Sequence, residues 1–180
     1  MDEQHAIQRL KQGDISGLEV LVNRYQTRAV RTAYLIVCDA ALAEDVAQEA
    51  FLRAFRSIAG FDAGRSFEAW FLRIVVNLAL KAVKQSARQV TPGEDALSAL
   101  LADIESVETQ VEWNEGCRQL WNAMRQLSPR QRAVIVQKYY LGMNESDMAQ
   151  EADSAKGTIR WLLHTARRRL RRLLKERDEE

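Results

Sequence analysis

The chain has 180 residues, 47% of them apolar and 28% charged, which excludes wholesale disorder and leaves room for one large domain or two small ones. A net charge of only +1 means that any attraction to nucleic acid must come from charge segregated within the chain. Two cysteines, Cys38 and Cys117, stand far apart without a CxxC spacing, so neither a disulfide framework nor a zinc site is expected. No apolar run approaches membrane-spanning length and residues 1–5 are polar, so a soluble protein of a reducing cytosol is the expectation.

Taken in order, the chain reads as helix almost throughout. It holds only two prolines and no strong alternating β-branched stretch, so an all-α protein is predicted. Ser16-Gly17-Leu18-Glu19 has the form of a capping box, opening a helix that carries Leu18, Leu21, Val22, Tyr25, Ala29 and Ala33. A second helix begins after Asp39, with Val46, Ala50, Phe51, Ala54, Phe55 and Ile58 on one face. Its opposite face shows Asp45, Gln48, Glu49, Arg53 and Arg56. The loop Gly60-Phe61-Asp62-Ala63-Gly64-Arg65 follows, and Ser66 is placed to cap a helix bearing Phe67, Trp70, Phe71, Ile74, Val75 and Leu78.

From Ser86 to about Ser106 the character changes: Pro92-Gly93 breaks structure, small and acidic residues dominate and aromatics are missing, and the wider stretch 94–115 holds seven acids without a lysine or arginine. We read 89–106 as a flexible acidic linker between two small helical domains, 1–88 and 107–180, with a short helix feasible over 96–104. Val107, Val111, Leu120, Trp121, Met124 and Leu127 then suggest an amphipathic helix. It ends before Ser128-Pro129-Arg130-Gln131, where a serine cap precedes proline at the first helical position and Gln131 completes a box.

From there the pattern is a helix-turn-helix. The apolar run Ala133-Val134-Ile135-Val136 leads to a break at Leu141-Gly142-Met143-Asn144, then a short segment from Glu145 to Ala152, then a helix rich in arginine. Seven basic residues against one acid occupy 167–177. A helix dipole is complemented by far less, with an effect below about 1 kcal/mol. Basic side chains beside a tight helix-turn-helix suit a duplex, because cations displace condensed counterions from phosphate.

Two blocks in the first half resemble region 2 of bacterial sigma factors of the extracytoplasmic-function class. They are Ala43-Glu44-Asp45-Val46-Ala47-Gln48-Glu49-Ala50-Phe51-Leu52-Arg53-Ala54-Phe55 and Phe67-Glu68-Ala69-Trp70-Phe71-Leu72-Arg73-Ile74-Val75-Val76-Asn77-Leu78-Ala79. The stretch from Leu127-Ser128-Pro129-Arg130-Gln131-Arg132-Ala133-Val134 to Leu174 resembles region 4 of the same family. The resemblance implies a dissociable, non-enzymatic subunit of RNA polymerase that needs no cofactor. In that family region 2 binds the clamp coiled coil of core polymerase and reads and melts the minus-10 element. Region 4 binds the flap and reads the minus-35 element, and an anti-sigma factor is the expected regulator in the bacterial cytoplasm.

Carried over residue by residue, the resemblance implies a polymerase-binding face of Asp45, Gln48, Glu49 and Arg53. It implies a minus-10 surface of Arg65, Ser66, Trp70, Arg73, Asn77, Lys81, Lys84 and Arg88. Arg65 and Arg73 suit phosphate and Asn77 either a base edge or a structural cap, whereas Trp70 shares the stripe of Phe67, Phe71 and Ile74 and is expected in the core. The minus-35 set is Lys156, Thr158, Arg160, His164, Arg167 and Arg168. Three positions depart from the family pattern. Residues 78–88 carry fewer cations, Asp153-Ser154-Ala155 replaces the usual glycine turn and serine cap, and Trp161 stands where small, polar or basic residues are common. Asp153 can take a left-handed turn, and Asp153 or Ser154 can cap. Trp161 can pack in the core, touch a thymine methyl or contact a protein, with the core or a partner favoured over base readout. Two other readings compete: a stand-alone helix-turn-helix regulator, and a sigma-like protein-interaction module with degenerate minus-35 readout. No small-molecule substrate and no membrane insertion are expected under any of them.

Overall fold

In the computed structural model, residues 2–86 and 115–178 are described; they hold eight helices and no strand. The chain divides into two units at 93/94, and each is taken by itself. The acidic linker, the short helix considered over 96–104, and Arg88 lie outside the described residues.

The first unit contains α1 (Glu3–Lys11), α2 (Ser16–Val37), α3 (Ala40–Ser57) and α4 (Phe67–Ser86). Helix α2 packs on α1, α3 and α4, and α3 also packs on α4. Aromatic rings knit the centre: Phe51 and Phe71 lie 4.5 Å apart by centroid, Phe67 stacks on Phe71 at 5.8 Å, and Tyr25 tilts onto Phe67 at 5.6 Å. Such pairs add about 0.5–1.5 kcal/mol beyond their burial. Small residues let the helices approach. A Cβ on Gly17 would lie 2.3 Å from the Ala6 carbonyl oxygen, so α1 and α2 meet over a position that admits no side chain.

Helix α1 is absent from the sequence reading above. Its nine residues are mostly polar, yet Ala6, Ile7 and Leu10 recur at helical spacing and are buried. Asp2 caps it, its carboxylate accepting from the His5 N–H. The capping box expected at Ser16 is not formed, because Ile15 is the flanking residue and Ser16 already lies inside α2. Asp14 closes that turn instead, accepting from the Ser16 N–H at 2.9 Å and pairing with Arg9 at 2.5 Å. Hydrogen bonding from Ser16, together with Arg9, holds the Asp14 carboxyl at about 2, well below its ordinary 3.8.

The second expected start, after Asp39, is present: the Asp39 carboxylate accepts from the Leu42 N–H. Cys38, just before it, takes the left-handed conformation at φ 60 and ends α2. Val46, Ala50, Phe51, Ala54 and Ile58 are buried, and Phe55 is half-buried.

The second unit contains α5 (Glu115–Arg125), α6 (Pro129–Ile135), a π-helical turn (Val136–Tyr140), α7 (Glu145–Glu151) and α8 (Lys156–Asp178). The box at Ser128 is complete: its hydroxyl accepts from the Gln131 N–H while the Gln131 side chain accepts from the Ser128 N–H. Helices α5, α6 and α7 all pack on α8. Val134, Val136, Met148, Ile159, Leu163 and Ala166 form the aliphatic core. Buried Arg132 donates to the carbonyls of Arg125 and Leu127, tying the α5–α6 turn to α6.

Asp153 stands at φ 43, as the sequence suggested for a residue replacing glycine. The Ser154 N–H donates to the Ala149 carbonyl and the Asp153 N–H to that of Gln150, the paired bonds of a Schellman ending. The cap of α8 differs from expectation. Ala155, rather than Asp153 or Ser154, is the residue before the helix, and its carbonyl accepts from Thr158 and Ile159.

Candidate nucleic-acid and protein interfaces

On α3 the buried alanines and Phe51 turn Asp45, Gln48, Glu49 and Arg53 outward, and all four are exposed. Among them sits Leu52, 46% exposed, which the sequence reading missed. Its signal was present: Leu52 falls three and four residues from Glu49 and Gln48, on the polar rather than the apolar side. The face therefore sets one exposed leucine among polar and acidic side chains, an apolar point within a polar rim.

At the start of α4, Ser66 accepts from the Ala69 N–H at 3.2 Å, so its hydroxyl acts as a helix cap. The preceding loop is shaped by Asp62, whose carboxylate accepts from the Gly64 N–H. Lys11 of α1 donates to the Phe61 carbonyl and lies 5.9 Å over its ring, so the missed helix anchors this loop. Arg65 is exposed, with Asp62 at 3.6 Å. A pair this open contributes little.

Trp70 packs on Phe61 at 4.8 Å and Phe67 at 5.5 Å and is half-buried. It belongs to the rim of the aromatic cluster, with one edge in solvent. Arg73, Asn77, Lys81 and Lys84 follow Trp70 at steps of three and four and so share its side of α4; Arg73 is half-buried and the other three are exposed. The structure thus brings Trp70, Arg73, Asn77, Lys81 and Lys84 onto one helical stripe, with Arg65 and Ser66 at its head.

In the second unit Lys156, Thr158, Arg160, His164, Arg167 and Arg168 are all exposed on α8. They do not form one row. Lys156, Arg160, His164 and Arg167 share a side, whereas Thr158 points about 200° away from Lys156 at 100° per residue. Arg160 is held by Glu145 of α7 at 2.9 Å, and that bond, with Lys138 and Lys156 nearby, lowers the Glu145 carboxyl below its usual range. Arg167 lies 5.8 Å over the ring of Tyr139, which the π-helical turn carries outward. An open groove on the far flank of α8 is lined by Gln131, Thr165, Arg168, Arg169 and Arg172, of which Arg168 belongs to the minus-35 set expected from sequence.

Trp161 is 63% exposed, which removes the core alternative considered for it. Ile159 and Leu163, two residues to either side, are buried, so the indole points away from the core. Among the described residues no group of three or more His, Cys, Asp or Glu is placed to hold a metal ion, and no helix is long and apolar enough to cross a membrane.

Comparison with known proteins matches both units. The Sigma-70 region 2 family fits residues 21–89, and the Sigma-70 region 4 family fits residues 117–170. The ECF RNA polymerase sigma factor SigL of Mycobacterium tuberculosis is 33% identical over 150 residues, spanning 81% of this chain and 82% of that protein. SigW of Bacillus subtilis, also an ECF RNA polymerase sigma factor, is 28% identical over 178 residues, 94% of this chain and 95% of SigW. The fold is that of the sigma factor RpoE of Bartonella quintana in its complex with the anti-sigma factor NepR, at a TM-score of 0.65 and 22% identity, covering 87% of this chain and 96% of RpoE. With two family regions in order and a relative of this identity and coverage, the chain belongs to the ECF class of sigma-70 factors.

Proposed function

We propose that this chain binds core RNA polymerase and directs promoter-specific initiation, without catalytic chemistry of its own. One observation carries the reading: the same chain presents an exposed leucine ringed by acidic and polar side chains on α3 and a cation-rich outward side on α8. The first suits a basic protein surface and the second a duplex. In this reading Asp45, Gln48, Glu49 and Arg53, centred on Leu52, dock on the clamp. The α4 stripe, with Arg65 and Ser66 at its head, takes the minus-10 element; α8 takes the minus-35 element. Residues 1–88 and 107–180 act as the two promoter-reading halves, with Arg88 extending the first set.

The Bartonella RpoE structure contains an anti-sigma factor. We carry that over as control of this chain by an anti-sigma protein in the bacterial cytoplasm, covering the polymerase-binding faces. A stand-alone regulator has less support, because sigma-family matches fall in both units, in the family's order.

The test is equilibrium binding of fluorescently labelled protein to core polymerase. Replacing Asp45 and Glu49 together by Ala is expected to weaken binding at least about tenfold, or about 1.4 kcal/mol, with helix content unchanged. Undiminished affinity would remove α3 as the docking face.

A further inference from the structure

We propose that Trp161 is a specificity-determining residue that reads a thymine in the upstream promoter element; this rests on the promoter-binding reading of α8 and deepens it. Three observations carry it. The indole is 63% exposed and lies about 200° around α8 from both buried Ile159 and buried Leu163, so it occupies the side opposite the core. It stands in the second turn of α8, directly after the helix-turn-helix bend, where a recognition helix meets base edges. Space beside it is open: a Cβ on Gly157, one turn earlier, would meet nothing within 4 Å.

The surroundings select the kind of partner. Around α8, Arg168 lies within about 20° of Trp161 and His164 within about 60°, while Arg160, held by Glu145, stands about 100° away; all three are exposed. Such a setting suits a polyanion and not an apolar protein groove, yet an exposed indole gains little from phosphate. The site therefore calls for an apolar spot on an anionic surface. In the major groove that spot is the thymine C5-methyl. Tryptophan offers an apolar ring and one N–H donor, and thymine is the base edge that sets a methyl beside an acceptor, its O4. Adenine, guanine and cytosine present no apolar group there.

Replacing each upstream thymine in turn by deoxyuracil deletes the methyl and keeps the hydrogen-bonding edge. The experiment is run-off transcription by the reconstituted holoenzyme on such templates, with the promoter first selected from a library by the wild-type protein. Initiation by the wild type is expected to fall about fourfold at one position, the worth of one buried methyl. Trp161→Ala should initiate more weakly on the thymine template and show no difference between thymine and deoxyuracil. Because Trp161 lies on the surface, the variant should melt as the wild type does.

A selected element without thymine, or a wild type indifferent to every deoxyuracil, overturns the inference while protein-dependent initiation keeps the sigma reading. Equal losses on all templates, accompanied by weaker core binding, overturn it in favour of a protein contact. If no template supports protein-dependent initiation, the promoter-binding reading fails and the inference with it.

Discussion

The two units use their aromatic residues in opposite ways. In the first, Tyr25, Phe51, Phe61, Phe67 and Phe71 are buried against one another, Trp70 shows only an edge at the rim of that cluster, and the α3 face is polar around a single leucine. In the second, the core is built from valine, isoleucine, leucine and methionine, while Tyr139, Tyr140 and Trp161 stand outside. Rings therefore fix the shape of the first unit and are left for contact in the second. A ring buried among others stabilises the fold through area and edge-to-face packing. An exposed ring stabilises only what binds it.

The sharpest way to break this comparison is to truncate one ring from each unit. Phe71→Ala should cost the first unit about 3–5 kcal/mol, a large share of the stability of so small a domain, and lower its melting transition accordingly. Trp161→Ala should change the melting of the second unit by less than about 0.5 kcal/mol. Comparable losses from the two would show that Trp161 is part of the core.

Backbone approach gives the next effect. Gly17→Ala forces a methyl against the Ala6 carbonyl and should cost about 1–3 kcal/mol, read by denaturant unfolding. An unchanged midpoint would mean that α1 does not sit closely on α2. In the second unit the strained position is conformational instead of steric. Asp153→Gly relieves the left-handed residue and should stabilise by up to about 1 kcal/mol, whereas Asp153→Val should destabilise by about 1–2 kcal/mol.

The smallest effect is electrostatic and depends on pH. Asp14 is held at about 2 in the folded chain, below its ordinary 3.8, so its contribution is present above pH 4 and fades as pH falls toward 2. The unfolding midpoints of wild type and Asp14→Asn should differ at neutral pH and converge between pH 4 and pH 2. A gap that stays constant through that window would dissociate Asp14 from the α1–α2 turn.

Much of this was legible in the sequence where local signals and packing agree. Ser128, Pro129 and Gln131 announced the start of α6, Asp39 that of α3, Ser66 that of α4, and Asp153 its own left-handed turn. Signals misled where a neighbour supplied the same chemistry. Ser16 and Glu19 mimic a capping box, but Asp14 closes the turn two residues earlier. Helix α1 escaped notice because one turn of buried residues among polar ones is a weak period. The π-helical turn at Val136–Tyr140 adds a residue within an otherwise helical run, and no spacing rule marks where that insertion falls. Trp161 could be assigned only once its direction from Ile159 and Leu163 was known. That Asp45, Gln48 and Glu49 share one exposed face was recoverable from spacing. The pairing of Arg160 with Glu145, fifteen positions apart, was not.

The measurement that bears most directly on the account is run-off transcription with bacterial core polymerase, with and without this protein, across a promoter library. The account requires initiation that depends on the protein and is confined to templates sharing two elements at fixed spacing, with initiation lost when Asp45 and Glu49 are replaced by Ala. Core polymerase that binds the protein yet starts no selective transcripts, or fails to bind it, would contradict the account.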